Sequence, residues 1–182
     1  RGPDYTGIIK EKNYTFVQNL LSITGDFTKQ PFVKDDVVCI FNGEIYNYKS
    51  FGNYKSDGEC LIPLYEKYGT EFVKHLDGEF AILLVDFKKD QLFVSTDIFS
   101  TKPMYFAADD EQTFGFSSYA SPLHRMDFKN IYKVPANTSY VFKLSNFGLL
   151  KQQSVHHFDL NQHKTNFDDW NIAFSNSMTK RA

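Results

Sequence analysis

The alternation of apolar and polar residues along the chain predicts a protein with many strands and few helices. Two runs rich in β-branched and aromatic residues, 5–10 and 14–23, predict a first hairpin. The almost continuous apolar run 78–86, followed by 91–96, predicts a second hairpin with one strand buried on both faces. Further strands are expected at 104–107, 113–116, 139–144 and 151–156. This set of elements favours sheets covered by helices over a helical bundle or a simple sandwich.

A polar motif interrupts the most apolar part of the first half of the chain. The run Val37-Val38-Cys39-Ile40-Phe41 is followed by Asn42-Gly43-Glu44-Ile45-Tyr46-Asn47. We expect a buried strand that ends where the motif begins, because Asn and Gly are typical of turns. A side-chain amide, a backbone N–H without a Cβ beside it and a carboxylate would then lie at one rim of the sheet, which is typical of a polar ligand site.

Helical periodicity appears at two places in the middle of the chain. Ser56 and Glu59 have the spacing of a capping box, and apolar residues recur at helical intervals before Gly69, which predicts a helix over 57–68. A shorter helix is expected from Thr70 through Leu76.

The last part of the chain differs in character from the rest. Residues 161–166 are polar, and Phe167, Trp170, Phe174 and Met178 then recur at helical spacing. We expect a domain over 1–158, followed over 159–182 by a linker and a terminal helix. On the pattern alone, this helix could cap its own domain or dock on a partner domain.

Length and charge limit the possible partners. The 182 residues suffice for one well-buried core, and 20 basic against 22 acidic residues give a net charge of −2. Neither sign forms a block, which argues against nucleic acid and membrane as partners. The apolar runs are much shorter than a membrane span, so a cytoplasmic protein is expected. Since the chain opens on Arg1, a segment upstream of it stays an open question.

The cysteines and histidines indicate neither a metal site nor a nucleophile. Cys39 lies in an apolar strand and Cys60 on a predicted helix, without a neighbouring His or a CxxC spacing, so both are expected to be buried thiols. The five histidines have no ligand spacing, and we expect no metal.

The residues of the polar motif can support amide hydrolysis. That reaction needs donors for a developing oxyanion and groups that hold the fixed charges of the substrate. Asn42 and the Gly43 amide can donate, while Asp57, ionised at a helix N-terminus and assisted by Glu44, can hold an ammonium group. Each residue also has a plainer interpretation: a turn for Asn42-Gly43, a helix cap for Asp57 and a solvated edge for Glu44.

Four motifs together resemble a known family in order and spacing. They are Arg1-Gly2-Pro3-Asp4, Asn42-Gly43-Glu44-Ile45-Tyr46-Asn47, Ser56-Asp57-Gly58-Glu59 and Asp97-Ile98-Phe99-Ser100-Thr101-Lys102-Pro103-Met104-Tyr105. They resemble the glutaminase domain of asparagine synthetases, which are class II glutamine amidotransferases. Val134-Pro135-Ala136-Asn137-Thr138 is similar to a late turn of that domain, so the resemblance extends to about His157.

The resemblance implies a fold and a reaction. The fold is α+β, of the N-terminal-nucleophile hydrolase type: a four-layer αββα sandwich of two antiparallel sheets between helical layers. In this family a cysteine at the mature N-terminus attacks the glutamine side-chain amide and forms a thioester. The ammonia passes to an ATP-using domain that aminates an activated aspartate. ATP and Mg²⁺ are expected in that second domain, and no cofactor in this one.

Motif position also implies roles for individual residues. Asn42 and the Gly43 amide would form the oxyanion hole. Glu44 and Asp57 would bind the α-amino group of glutamine, and Leu21 and Ile23, within the family's Leu-Ser-Ile segment, would contribute to the substrate site. The implied partners are glutamine and a C-terminal ATP-dependent synthetase domain, and a homodimer stays an open expectation.

The chain departs from the family pattern at the nucleophile and at the substrate clamp. The family cysteine lies on a first strand upstream of Arg-Gly-Pro-Asp, so we expect the chain as it stands to lack that strand, to expose a sheet edge and to be inactive. Leu20 occupies the place of an Arg that clamps the substrate carboxylate. Losing such a contact typically costs about 2–5 kcal/mol, so glutamine should bind weakly unless another basic residue substitutes. Ser100 and Thr96 also differ from the family motif.

Two hypotheses follow from these motifs and departures. The preferred one is the glutaminase domain of an asparagine-synthetase-like protein, which hydrolyses glutamine to glutamate and ammonia when its nucleophile is present. The alternative is a degenerate, non-catalytic domain that serves as a scaffold for a synthetase partner, as in β-lactam-synthetase-like proteins. The chain contains no glycine-rich phosphate loop, so ATP binding is not expected here.

Overall fold

A computed structural model describes residues 2–109, 113–158 and 166–181. The strands are β1 (Tyr5–Glu11), β2 (Tyr14–Leu20), β3 (Phe32–Lys34), β4 (Val37–Ile45), β5 (Gly78–Asp86), β6 (Gln91–Thr96), β7 (Tyr105–Ala108), β8 (Phe114–Ser117), β9 (Tyr132–Lys133), β10 (Thr138–Lys143) and β11 (Leu149–Ser154). The α-helices are α1 (Leu61–Tyr68), α2 (Ala120–Arg125) and α3 (Asp168–Arg181), and the 3₁₀ helices are Tyr48–Ser50, Asp57–Cys60 and Gly69–His75.

A six-stranded antiparallel sheet forms the centre of the fold. Its strand order is β11-β10-β6-β5-β4-β3. The predicted hairpin of β5 and β6 is confirmed with both strands at their expected bounds. Strand β5 is buried on both faces, since Ile82 packs in one apolar cluster and Leu83 in another. Side chains of successive strand residues point to opposite faces, so the continuous apolar run places this strand between two layers.

Each face of the central sheet carries its own layer. On one face, Phe41 and Phe93 pack with Leu61, Tyr65 and Phe72 of the helical segment that follows β4. On the other face, a second apolar cluster joins the central sheet to the hairpin β1–β2 and to the small sheet β8-β7-β9; its members include Phe16, Val38, Leu83, Met104 and Val134. Helix α2 packs outside the small sheet through Leu123, which lies against Ala107 and Phe128.

The layers confirm the predicted α+β sandwich with one difference. Helices, central sheet, second strand layer and outer helix follow one another as expected for an αββα arrangement. The second strand layer is not one sheet but two, the hairpin β1–β2 and the sheet β8-β7-β9. Strands β2 and β8 are edge strands of these two sheets, and residues of both line one large cavity.

The prediction that a strand ends at Phe41 is wrong. Strand β4 continues through Asn42-Gly43-Glu44 to Ile45 and pairs with β5 over its whole length. Pairing with the most apolar strand of the protein overrides the low strand propensity of Asn and Gly. In the other direction, β2 ends at Leu20, three residues before the predicted end.

The predicted helix over 57–68 is two elements, and its capping box is absent. A 3₁₀ helix over Asp57–Cys60 precedes α1, and the Ser56 side chain makes no cap hydrogen bond. The Glu59 carboxylate accepts instead from the backbone N–H of Lys55 at 2.7 Å. The expected helix from Thr70 is a 3₁₀ helix over Gly69–His75.

The terminal helix is confirmed as α3, whose apolar side chains are exposed. Trp170 and Phe174 stack on each other with ring centroids 5.4 Å apart. Most of the predicted linker, 159–165, lies outside the described residues. None of the helices in the described part of the chain has the length and apolar character that crossing a membrane requires.

Candidate active site

One cavity of about 640 Å³ brings the predicted site residues together. It lies between the β4 face of the central sheet and the second strand layer, and its lining includes all six of them: Leu21, Ile23, Asn42, Gly43, Glu44 and Asp57. Asn42 and Glu44 share a face of β4, since alternate residues of a strand point the same way. Residues far apart in the chain therefore form one surface, although the roles assigned to them stay predictions.

Gly43 is required by the close approach of β5. Its φ is +152°, and a Cβ at this position would lie 2.0 Å from the Glu79 carbonyl oxygen. Gly78 has the reciprocal relation, since its Cβ would lie 2.2 Å from the Glu44 carbonyl oxygen. The two glycines allow the strands to approach closely, so the motif is held by backbone on its neighbouring strand.

The strand register directs the Gly43 N–H away from β5. In an antiparallel ladder, hydrogen-bonded and non-hydrogen-bonded pairs alternate. Tyr46 N donates to Asp77 O at 2.8 Å, which makes the pair of Gly43 with Phe80 a non-hydrogen-bonded one. The hydrogen bonds of Phe80 support this assignment. Its N–H donates to Asp97 Oδ2 and its carbonyl accepts from Asp97 N, both on the side of β5 that faces away from β4. The Gly43 N–H therefore points to the outer side of β4.

On the outer side of β4, backbone groups of the residues two before and two after Gly43 have hydrogen-bond partners. The Gly43 N–H has none among the described residues. Strand β3 pairs only as far as Cys39. Beyond it, the Gln18 side chain bonds both backbone groups of Phe41, with Phe41 N to Gln18 Oε1 at 3.4 Å. Ile45 N donates to Asp57 Oδ2 at 2.9 Å. Among the described residues no partner strand accepts the N–H between these two positions, and Gly43 lines the cavity.

Asp57 is only 6% exposed, so its carboxylate is largely removed from solvent. Its carboxylate accepts from Ile45 N and Gly58 N, each at 2.9 Å. Burial raises the pKa of Asp57 to about 6, with a further increase from the nearby charge of Glu44, and the backbone donors offset only part of this.

Glu44 lies at the acidic end of the cavity. It stands directly opposite Glu79 in the β4–β5 register, and Thr24 Oγ1 donates to its Oε2 at 3.4 Å. Lys102 Nζ pairs with Glu79 Oε1 at 2.9 Å. The hydrogen bond to Glu79, together with the charges of Glu79 and Glu44, raises the pKa of Lys102.

Asp97 organises the loop that carries Lys102, a role that the motif alone did not reveal. Its Oδ1 accepts from Phe99 N at 2.9 Å and from both N and Oγ1 of Thr101 at 3.1 Å. Its Oδ2 accepts from Phe80 N at 3.1 Å and from Lys102 N at 3.3 Å. A buried carboxylate with this many donors ties the loop to the start of β5.

The segment after β2 forms the opposite wall of the cavity. Leu20 is buried, whereas Leu21 and Ile23 expose 54% and 67% of their surface. Asp4 fixes this segment from both sides, because its own N–H donates to Leu20 O at 3.1 Å and its carboxylate accepts from Ser22 N at 2.8 Å. The aspartate of the Arg-Gly-Pro-Asp motif thus positions the wall without lining the cavity.

Neither cysteine of the chain is available as a nucleophile. Cys39 and Cys60 are both fully buried. Burial raises the pKa of Cys39 well above its usual value and that of Cys60 to about 12, so both are neutral thiols. Within the described residues no group of three or more His, Cys, Asp or Glu side chains could hold a metal ion.

Comparisons with known proteins identify a family and several relatives. A family model described as "Glutamine amidotransferase domain" matches residues 1–159. Asparagine synthetase [glutamine-hydrolyzing] 1 of Arabidopsis thaliana is 32% identical over 158 residues, which are 81% of this chain and 27% of that protein. Asparagine synthetase [glutamine-hydrolyzing] 2 of Oryza sativa is 36% identical over 129 residues, 65% of this chain and 22% of that protein. The chain thus spans about a quarter of the length of these relatives.

Solved structures show the same fold at low identity. The glutamine phosphoribosylpyrophosphate amidotransferase of B. subtilis matches with a TM-score of 0.57 and 16% identity, over 72% of this chain and 32% of that one. A glutamine aminotransferase class-II domain protein from silicibacter pomeroyi matches with a TM-score of 0.52 and 12% identity, over 72% of both chains. With the family match over most of its length, the chain belongs to the glutamine amidotransferase family, as a glutaminase domain of the asparagine synthetase kind.

Proposed function

We propose that this chain forms the amide-binding and oxyanion-stabilising side of a glutaminase site. The observation that carries the proposal is the Gly43 N–H, which points to the outer side of β4 at the cavity between two satisfied backbone positions. Asn42 stands beside it on the same strand and lines the same cavity. Two preorganised donors near one point are what a developing oxyanion needs.

In the proposed reaction a cysteine thiolate attacks the carbon of the glutamine side-chain amide. The carbonyl oxygen becomes an oxyanion, which the Gly43 N–H and the Asn42 amide stabilise. The proton that the thiol gave up passes to the amide nitrogen, the carbon–nitrogen bond breaks as the oxyanion collapses, and ammonia leaves. Water then hydrolyses the thioester to glutamate and regenerates the thiol. Glu44 and Asp57 hold the substrate ammonium group at the acidic end of the cavity. Because Cys39 and Cys60 are buried, the thiolate must come from a residue outside this 182-residue sequence, and the sequence by itself should not turn over.

The ammonia acceptor in this proposal is an ATP-dependent synthetase domain. The relatives are named as glutamine-hydrolysing asparagine synthetases, and this chain spans about a quarter of their length. Helix α3 follows the family-matched region and exposes an apolar stripe that includes Trp170 and Phe174. We assign this stripe to contact with the synthetase domain, since exposed aromatic side chains on one helix are typical of an interface.

One variant tests the oxyanion assignment in protein that carries an N-terminal cysteine upstream of Arg1. Asn42→Ala should lower kcat for glutamine hydrolysis by about 10²–10³, the usual loss for one oxyanion donor. Asn53→Ala is the matched control, because Asn53 is exposed in a loop outside the cavity, and it should keep full turnover. Equal turnover in the two variants would remove Asn42 from the site.

A second candidate function is a scaffold without hydrolysis. It is favoured by Leu20, which stands where the family resemblance implies a carboxylate clamp. Absence of turnover in folded protein that carries the N-terminal cysteine, together with an intact synthetase reaction from free ammonia, would favour this candidate.

A further inference from the structure

The charged side chains that line the cavity are mostly acidic. Among the described residues they are Asp26, Glu44, Asp57 and Lys102. The lysine is already paired with Glu79 at 2.9 Å, at the end of the cavity where Glu44 lies. A ligand cation therefore meets carboxylates, whereas a ligand anion meets, within the described part of the lining, only a cation that is already engaged. Juxtaposing like charges in such a site is costly.

The wall that faces the acidic end carries three apolar side chains, Leu20, Leu21 and Ile23, beside uncharged polar ones and Asp26. Leu20, at the position of the expected clamp, is buried against the protein. Leu21 and Ile23 continue the wall, line the cavity and expose more than half of their surface. Hydrocarbon surface of this kind accepts a neutral group and disfavours an ionised carboxylate, which would lose water without gaining a partner.

A buried hydroxyl in the same lining has no hydrogen-bond partner among the described residues. Ser56 is 4% exposed, lines the cavity, and its Oγ forms no hydrogen bond. The backbone of Ser56 is held in place by a bridge to Gly25 and by the bond from Asp26 N to Lys55 O at 2.8 Å. Buried polar atoms are nearly always satisfied, and this oxygen itself exposes less than 1 Å², so it can bond a polar group of a ligand when the Ser56 side chain rotates toward the cavity. It can donate to a carbonyl oxygen or accept from an N–H without requiring a charge.

We propose that the cavity selects primary amides that bear an amine but whose carboxyl group is neutral or missing, in preference to free glutamine. Such a ligand places its ammonium group among Glu44 and Asp57 and its side-chain amide at Asn42 and Gly43. Its neutral end packs on Leu21 and Ile23, with the Ser56 hydroxyl as a further polar contact. This inference rests on the proposed function, because it assigns the substrate class of the same site.

Calorimetry of the 182-residue chain with four probes tests this selection. The probes are glutamine, glutaminamide (the α-carboxamide of glutamine), 4-aminobutanamide (no carboxylate) and 4-carbamoylbutanoate (no amine). Glutaminamide should bind at least tenfold more tightly than glutamine, and 4-carbamoylbutanoate should bind most weakly. If glutamine binds as tightly as glutaminamide or more tightly, the inference is overturned and the proposed function stands. If no probe binds to the folded chain, both the inference and the proposed function fail.

Substitutions at Leu20 and Asp26 test which residues cause the preference for glutaminamide over glutamine. Leu20→Arg should raise the affinity for glutamine at least tenfold and remove the preference for glutaminamide, while Leu20→Met, uncharged and similar in size, should keep the preference. Because Leu20 is buried, a substitution there can disturb folding, so Asp26→Asn supplies a second test at an exposed position. It should reduce the preference for glutaminamide over glutamine by two- to fivefold. A preference unchanged in folded Leu20→Arg and in Asp26→Asn would contradict a selection by charge.

Ser56→Ala separates a ligand contact from a structural hydroxyl. Removing a buried hydroxyl without a partner should leave the thermal midpoint unchanged or raise it. The affinity for glutaminamide should fall three- to tenfold in the same protein. A lower midpoint with unchanged affinity would show that the hydroxyl serves the fold and not the ligand.

Discussion

The two walls of the cavity are built in opposite ways. The β4 wall belongs to the central sheet, where Gly43 is fixed by the backbone of β5 and Asp57 by two backbone donors. The wall over residues 21–30 follows an edge hairpin and exposes apolar side chains, including Phe27. The wall assigned to the amide and to the ammonium group is therefore part of the core, whereas the wall that meets the carboxyl end of the ligand is peripheral. Peripheral segments vary most readily in sequence. Leu20, which stands in place of the expected Arg, lies directly before the segment 21–30.

The largest expected effect is at Gly43, where the β4 wall has no spare space. Gly43→Ala would place a Cβ 2.0 Å from Glu79 O at a φ of +152°, so β4 and β5 must separate. We expect a loss of about 3–5 kcal/mol in the free energy of unfolding, measured by denaturant titration.

Gly69→Ala is the control for backbone conformation alone. Gly69 also has a positive φ, +59°, but a Cβ there meets nothing within 4 Å. It should cost about 1–3 kcal/mol, because φ +59° with ψ −145° is a conformation that few residues other than glycine adopt. Equal losses at the two positions would show that the close approach of β5 does not constrain the β4 wall.

Asp57 should make the free energy of unfolding depend on pH. Its pKa is raised to about 6 by burial, against an ordinary value of 3.8, so the folded protein holds this proton more tightly than the unfolded chain. Its stabilising contribution is fully present below pH 3.8 and is lost as the pH rises through about 6. Relative to Asp57→Asn, the wild-type protein should therefore lose about 2–3 kcal/mol of stability between pH 4 and pH 7.

The measurement for Asp57 is a set of denaturant titrations of both proteins across this range. The comparison is a difference between two proteins, so contributions from other titrating groups cancel to first order. A difference that is constant from pH 4 to pH 7 would mean that Asp57 keeps an ordinary pKa in the folded state.

The smallest expected effect is on the peripheral wall. Phe27 is half-exposed and makes an edge contact with Tyr5, with ring centroids 6.1 Å apart. Phe27→Ala should cost less than about 1 kcal/mol, while Phe72→Ala, at a fully buried position under the central sheet, should cost about 3–5 kcal/mol. Thermal unfolding of the two variants checks this, and similar losses would remove the contrast between the walls.

The strands that sequence predicts best are those whose pattern matches their burial. Strands β5 and β6 have their predicted bounds because β5 is apolar on both faces. The end of β4 was misplaced because Asn, Gly and Glu are unfavourable in strands, and only the pairing with β5 shows that they continue one. Strands β3 and β9, with three and two residues, are too short to show any alternation.

Some features of the candidate site can likewise be predicted from sequence, whereas others cannot. The motif residues Asn42, Gly43 and Glu44 follow from sequence, because the family resemblance carries them. The pKa of Asp57 does not, since it depends on burial beneath segments distant in the chain. The unsatisfied hydroxyl of Ser56 and the donors around Asp97 likewise need coordinates, because the partners of a polar atom are set by tertiary contacts.

The reciprocal glycines of β4 and β5 limit how the motif can be moved or altered. Gly43 lies against the carbonyl of Glu79, and Gly78 lies against the carbonyl of Glu44. Anyone who grafts Asn-Gly-Glu onto another scaffold must also supply a glycine on the adjacent strand, although no contiguous motif contains both. In related sequences, the two positions should be inherited as a pair, and a replacement at one should be accompanied by a change in the local pairing of the other.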